Sequence, residues 1–321
     1  MTSPPQDEHS DADDAARPED VVRRIWPDLP ASVEPLGGGI TNRNFLVDVG
    51  GERFVVRVPG RDTHLLGIDR AAEAAAARAA AAVDVGPEVE AFVEPEGYLV
   101  TRFVAGSPIP PERMREEATI ARVAAVLSRI HGAAPFPGRF DAHRIVEDYL
   151  ETAMGRGVSR PDDFEWAHDI SSRIEAARGA QPAVPCHDDL LNANFIEAEG
   201  TGDVVVVDWE YAGMGDRFFD LANFSVNHEF EPEHDEVLLR AYFGRVRRGD
   251  VASIALMRFM SDFREAMWGV VQQGISRLDF DFRDYAAKHF DRMRATAAAP
   301  AFSRFLDDLS TEDSGTSAFR P

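Results

Sequence analysis

His187-Asp188-Asp189-Leu190-Leu191-Asn192-Ala193-Asn194-Phe195-Ile196 leads through Gly200-Thr201-Gly202-Asp203 into Val204-Val205-Val206-Val207-Asp208-Trp209-Glu210, and the rest of the chain can be read outward from this stretch. Two apolar β runs flanking a Gly-rich turn predict a hairpin. Asn194 and Asp208 are equidistant in sequence from Thr201, so antiparallel pairing would set them side by side at its open end. Glu210 lies two residues further, on the same face if the strand continues. An amide oxygen and two carboxylates converging in this way are the donors Mg²⁺ takes when phosphate oxygens and water complete its octahedron.

His187-x-Asp189-Leu190-x-x-x-Asn194 has the spacing of Asp and Asn in the catalytic loop of kinases, with Asp188 where protein kinases carry Arg. Taken alone, such an octet also reads as a polar turn bonded to its own backbone. Asp208 decides between the two, because an Asp directly after four valines stands where protein kinases place the Asp of Asp-Phe-Gly. Upstream, Phe45, Val47 and Val49 alternate with polar positions, Gly50-Gly51 turns the chain, and Phe54 to Val58 returns. Gly37, Gly38 and Gly39 precede Ile40-Thr41-Asn42 and fit no common nucleotide-loop pattern. With the downstream motif in hand, they read as a hairpin loop whose N–H groups approach phosphates. Lys288 is the only lysine, so a Walker loop is impossible and the cation a kinase needs on its third strand has to be an arginine. Arg57 sits inside that strand. Glu73, on the Ala-rich helix predicted over 68–83, is its expected partner; the plainer reading of Arg57 is an exposed ion pair.

After short β runs in 91–104, helices are expected over 112–131, 143–154, 163–178, 233–247 and 251–274. Cys186, the single cysteine, excludes an internal disulfide and reads as a small packed apolar residue. His228-Glu229 resembles the start of a zinc helix, yet Pro232 stands where the second His would be. At 321 residues the expectation is two lobes. A net charge of −22 repels nucleic acid and anionic membranes and attracts small cations. With no apolar leader or long apolar run, a cytoplasmic location is expected. Residues 1–20 and 307–321, acidic and poor in apolar side chains, read as flexible tails.

Gly38-Gly39-Ile40-Thr41-Asn42, Phe54 to Gly60, Cys186 to Leu190, Asp208 to Asp216 and Phe219-Asp220-Leu221-Ala222-Asn223 together resemble the choline and ethanolamine kinase family, within the aminoglycoside-phosphotransferase-like fold. The likeness spans about 21 to 295. It implies an α+β, bilobal protein-kinase-like fold, with a small β-rich N-lobe (21–104) that binds nucleotide and a larger, mainly helical C-lobe (105–306). It implies ATP and Mg²⁺ as cofactors, with Asp189 as base beside His187, and Asn194, Asp208 and Glu210 for the metal. Gly38, Gly39, Thr41, Asn42, Arg57 and Glu73 would serve the nucleotide phosphates, with Thr101 and Phe103 in the adenine hinge. Near the C-terminus, Trp268, Phe280, Phe282 and Tyr285 match positions where the family builds an aromatic cage for a quaternary ammonium, and Tyr211 would join them by cation–π attraction. Glu265 departs from the pattern, standing where the eukaryotic members have a further Trp.

The resulting expectation is phosphorylation of the hydroxyl of a small cationic amino alcohol, foremost choline. Ethanolamine, an aminoglycoside acceptor, or a non-catalytic kinase-like binding module are the alternatives. Helix-to-helix packing is the plainer reading of the C-terminal aromatics.

Overall fold

The structure, a computed structural model, describes residues 17–37 and 41–315. Gly38 and Gly39 lie outside them, as do residues 1–16 and 316–321 of the expected tails. Helix α1 (Pro18–Ile25) opens the described chain and is followed by β1 (Ala31–Leu36), β2 (Asn42–Val49) and β3 (Glu52–Pro59). Then come α2 (Arg70–Ala82), β4 (Val89–Val93) and β5 (Tyr98–Arg102). The five strands form one antiparallel sheet in the order β1-β2-β3-β5-β4. In β3 the alternation works as a sequence of period two dictates: Phe54, Val56 and Val58 are buried, and Arg57 points to the other side. The buried side joins Val21, Val22, Val47, Val49, Val93, Tyr98 and Val100 in a small core of its own.

The chain leaves this sheet through Phe103 to Ala105 and enters β6 (Gly106–Pro108). The second lobe comprises α3 (Glu117–His131), α4 (Ala142–Gly155), α5 (Phe164–Arg178), β7 (Ala183–Cys186), β8 (Phe195–Ala198), β9 (Val204–Val206) and β10 (Gly213–Asp216), followed by α6 (Arg217–Asn227), α7 (Pro232–Phe243), α8 (Arg248–Ile275), α9 (Phe282–Ala298) and α10 (Pro300–Gly315). Helix α8, 28 residues long, is buried along most of its length and packs against α4, α5, α6, α7, α9 and α10. The alanines of α2 belong to this larger core rather than to the small one, so α2 is the packed link between the lobes. Small side chains allow that close approach without voids.

Two expectations about the ends need correction. Pro18 to Asp20 begin α1, where Val21 and Val22 have a core to bury against, and 307–315 continue α10 rather than forming a tail. No helix among the described residues is long and apolar enough to cross a membrane.

Candidate active site

Between β7 and β8 the chain folds into a loop whose shape is set by side chains bonding its backbone. Asp220, fully buried near the start of α6, accepts from the N–H groups of His187 (2.9 Å) and Asp188 (2.8 Å) and pairs with His131 Nε2 (2.9 Å). Asn223, one turn on, accepts from Leu190 N–H at 2.6 Å. Inside the loop, Asp189 N–H donates to His187 Nδ1 (3.2 Å) while His187 Nε2 donates to Val207 O (3.0 Å). Both nitrogens of His187 are thus committed to backbone, and burial holds its pKa below the ordinary value. Asn194 Nδ2 closes the loop by donating to Asp189 O at 2.8 Å. Asp188 takes a left-handed φ of 66° and turns into the interior, where burial first and Asp220 next push its pKa well up.

The hairpin forms, with one change of register. Phe195 pairs with Val206, which sets Asn194 opposite Val207 rather than Asp208. The strand also stops at Val206: Asp208 has a φ of 69°, and residues 209–211 turn. Glu210 therefore does not continue a strand face beside Asp208. It reaches the N-lobe instead, accepting from Thr41 Oγ1, Asn42 Nδ2 (2.8 Å) and Arg70 Nη1 (3.2 Å). Burial first, then Asp208, raises its pKa.

Arg57 lies between the lobes, its Nη1 donating to Glu73 Oε1 (2.6 Å) and Asp208 Oδ1 (2.7 Å). Burial works against its charge, but Asp208, Glu73 and Glu210 outweigh it and its pKa is raised. Arg70 is a second cation here, bonded to Glu73 (2.7 Å) and Asn42 (2.8 Å). Thr101 stands opposite Val55 in the sheet register, and Phe103, under the Arg53 guanidinium at 4.6 Å, lies where the chain leaves the N-lobe.

On the C-lobe side the aromatic residues do meet. Trp268 lies edge-on to Phe282 (5.8 Å) and Tyr285 (5.6 Å), Phe280 adjoins both of those rings (4.8 and 6.0 Å), and Trp268 Nε1 donates to Tyr211 Oη at 2.9 Å. Glu265 is beneath them. Its Oε2 accepts from Tyr285 Oη at 2.6 Å and its Oε1 from Arg264 Nη1. Arg264 also reaches Asp189 Oδ1 at 3.3 Å and stacks on Tyr211 with its guanidinium carbon 4.3 Å from the ring centre.

Sequence reasoning missed Arg264, Arg70 and the anchoring roles of Asp220 and Asn223. An Arg-Glu pair in the middle of a long helix that is buried along most of its length is the signal available for the first, since a buried charge needs a partner.

A kinase-type catalytic loop beside the mouth of a five-stranded lobe defines a phosphotransferase, and the family described as "Phosphotransferase enzyme family" matches residues 32–255, so the chain belongs to it. Within that class it is a member of the choline/ethanolamine kinase family: a protein of that family from Mesorhizobium loti, solved by crystallography, is 32% identical over 91% of this chain and 99% of its own, with a TM-score of 0.77. The chain is an ATP-dependent phosphotransferase with an alcohol group as acceptor. Mouse ethanolamine kinase 2 is 26% identical, over 84% of this chain and 77% of its own. Protein LicA of Haemophilus influenzae is 25% identical, over 79% and 76%.

Proposed function

We propose that this protein transfers the γ-phosphoryl group of ATP to the hydroxyl of an amino alcohol whose nitrogen is methylated, foremost choline. The carrying observation is the aromatic cluster of Trp268, Phe280, Phe282 and Tyr285 above a carboxylate, Glu265, whose two oxygens are already engaged by Arg264 and Tyr285. A methylated ammonium has no N–H to donate and is attracted to ring faces, so a cage with few free acceptors suits it.

Asp189 is the base. Its Oδ takes the hydroxyl proton as the alcohol oxygen attacks phosphorus in line and the bond to the β–γ bridging oxygen breaks. Burial pushes its pKa up to about 8, with Arg264 pulling down and Glu265, Asp208 and Glu210 pushing further up. A base poised near the working pH transfers the proton most effectively. His187 orients Asp189 through its backbone and holds no substrate proton, because neither ring nitrogen is free. Arg57, with Glu73 fixing its direction, supplies the cation for the nucleotide phosphates.

The donors fit Mg²⁺ in part. Asn194 commits its Nδ2 to Asp189 O, which leaves its Oδ1 as the donor for a cation, and Asp208 gives Oδ1 to Arg57 and keeps Oδ2. Glu210 is held by Thr41, Asn42 and Arg70 and would have to exchange partners to join them. When bound, the cation neutralises charge spread over the phosphate oxygens.

ADP release measured over choline, ethanolamine, N-methylated ethanolamines and an aminoglycoside panel tests the reading. Choline is expected to give the highest kcat/KM; a tenfold preference for an aminoglycoside or for unmethylated ethanolamine would overturn it.

A further inference from the structure

Arg264 stands out in the acceptor site. Its side chain is 2% exposed, it follows no kinase part so far described, and its one guanidinium meets three groups the acceptor would otherwise use: Asp189 Oδ1, Glu265 Oε1 and the face of Tyr211. Its Nε and Nη2 have no partner among the described residues. A buried arginine left with two unsatisfied nitrogens is a costly choice, and the stack plus two carboxylates hold it there.

We infer that Arg264 is a positioning residue that sets which ammonium the site accepts, by occupying Glu265 and the Tyr211 face so that an N–H-bearing cation finds no carboxylate to bond. The inference rests on the amino-alcohol reading above. A primary ammonium is strongly hydrated and enters a dry site only where acceptor oxygens replace its water. Glu265, bonded to the hydroxyl of a cage tyrosine, is the acceptor within reach of that cage, and Arg264 neutralises it. A trimethylammonium group loses nothing by this, since ring faces are what it needs.

Two variants test it, each measured for KM and kcat with choline and with ethanolamine, with ADP binding followed by thermal shift to establish folding. Arg264→Met removes the donor at similar length and releases Glu265 and the Tyr211 face. The ratio of kcat/KM for choline to that for ethanolamine is expected to fall at least tenfold, through a selective drop in KM for ethanolamine. Glu265→Gln keeps the shape, so it guards against loss of folding in the first variant. It is expected to raise KM for both substrates by similar factors, because the carboxylate contributes charge and does not bond the ammonium. An unchanged ratio in Arg264→Met, or a selective loss of ethanolamine in Glu265→Gln, overturns the inference while leaving an amino-alcohol kinase in place. Wild-type enzyme inactive on both alcohols overturns the functional reading and this one with it.

Discussion

Asp220 accepts two backbone N–H groups and a histidine from a position with no solvent contact, so the direction of Asp189 depends on a residue that never meets substrate. Asp220→Asn would turn an amide N–H₂ toward donors. Each buried donor left unpaired costs about 1–3 kcal/mol. The expected outcome is a lower melting temperature together with a kcat loss of tenfold or more and a nearly unchanged KM for ATP. Asp189→Asn separates chemistry from shape: it should bind ADP as wild type and lose kcat by at least about a hundredfold, since a general base typically contributes 10²–10⁴. Near-normal turnover would remove Asp189 from its role. These two residues also mark what was legible. That Asp189 and Asn194 share one loop and that Asp208 follows the return strand could be read from spacing alone, while the expected pairing of Asn194 with Asp208 was one residue out of register. Glu210 was read on the wrong face because alternation was extended past a residue with φ of 69°. Arg264 was passed over although Glu265 is its neighbour in sequence, because its other partners, Asp189 and Tyr211, are brought to it only by the fold.

Helices show the same division. Where composition favours the helix strongly, as in the Ala-rich run of α2, the bounds come close to those observed: expected over 68–83, found at Arg70–Ala82 behind an Asp69 cap. Helix α6 was not anticipated. Every residue from Phe218 to Val226 in it is buried, so it has no polar face to set a period. Helices α8 and α9 carry the proposed acceptor cage, and Gly269 is where they come close: a Cβ there would lie 2.9 Å from Tyr285 Cδ1 and 3.2 Å from Phe282 O. Gly269→Val must therefore push α9 outward and open the cage. Overpacking of this kind costs about 1–3 kcal/mol. KM for choline should rise while ADP affinity holds, and Trp268→Ala should raise it tenfold or more, equivalent to about 1.4 kcal/mol. If neither variant moves KM for any amino alcohol, the aromatics serve only to pack α8 on α9.

For the molecule as a whole, acidification has two opposing effects. A net charge of −22 means that protonation relieves self-repulsion, whereas buried neutral histidines resist it. His143, His187 and His228 all have pKa values lowered by burial. His228 offers the clearest separation of the two effects. It lies among Phe195, Phe224 and Phe230, its Nδ1 donates to Phe224 O at 2.7 Å, its Nε2 has no partner among the described residues, and burial pushes its pKa down to about 4. The unfolded chain binds the proton near pH 6.5 and the folded chain only near 4, so between these values the unfolded state holds more protons and stability falls as pH falls. His228→Phe removes this linkage but leaves the net-charge effect common to both proteins. At pH 7 the variant loses one hydrogen bond; between pH 7 and pH 5 it should gain on wild type by roughly 2 kcal/mol, at 1.36 kcal/mol per pKa unit. Denaturant unfolding of both proteins across that range checks it, and a stability difference that does not change with pH would mean that folding leaves the pKa of His228 where it is in the unfolded chain.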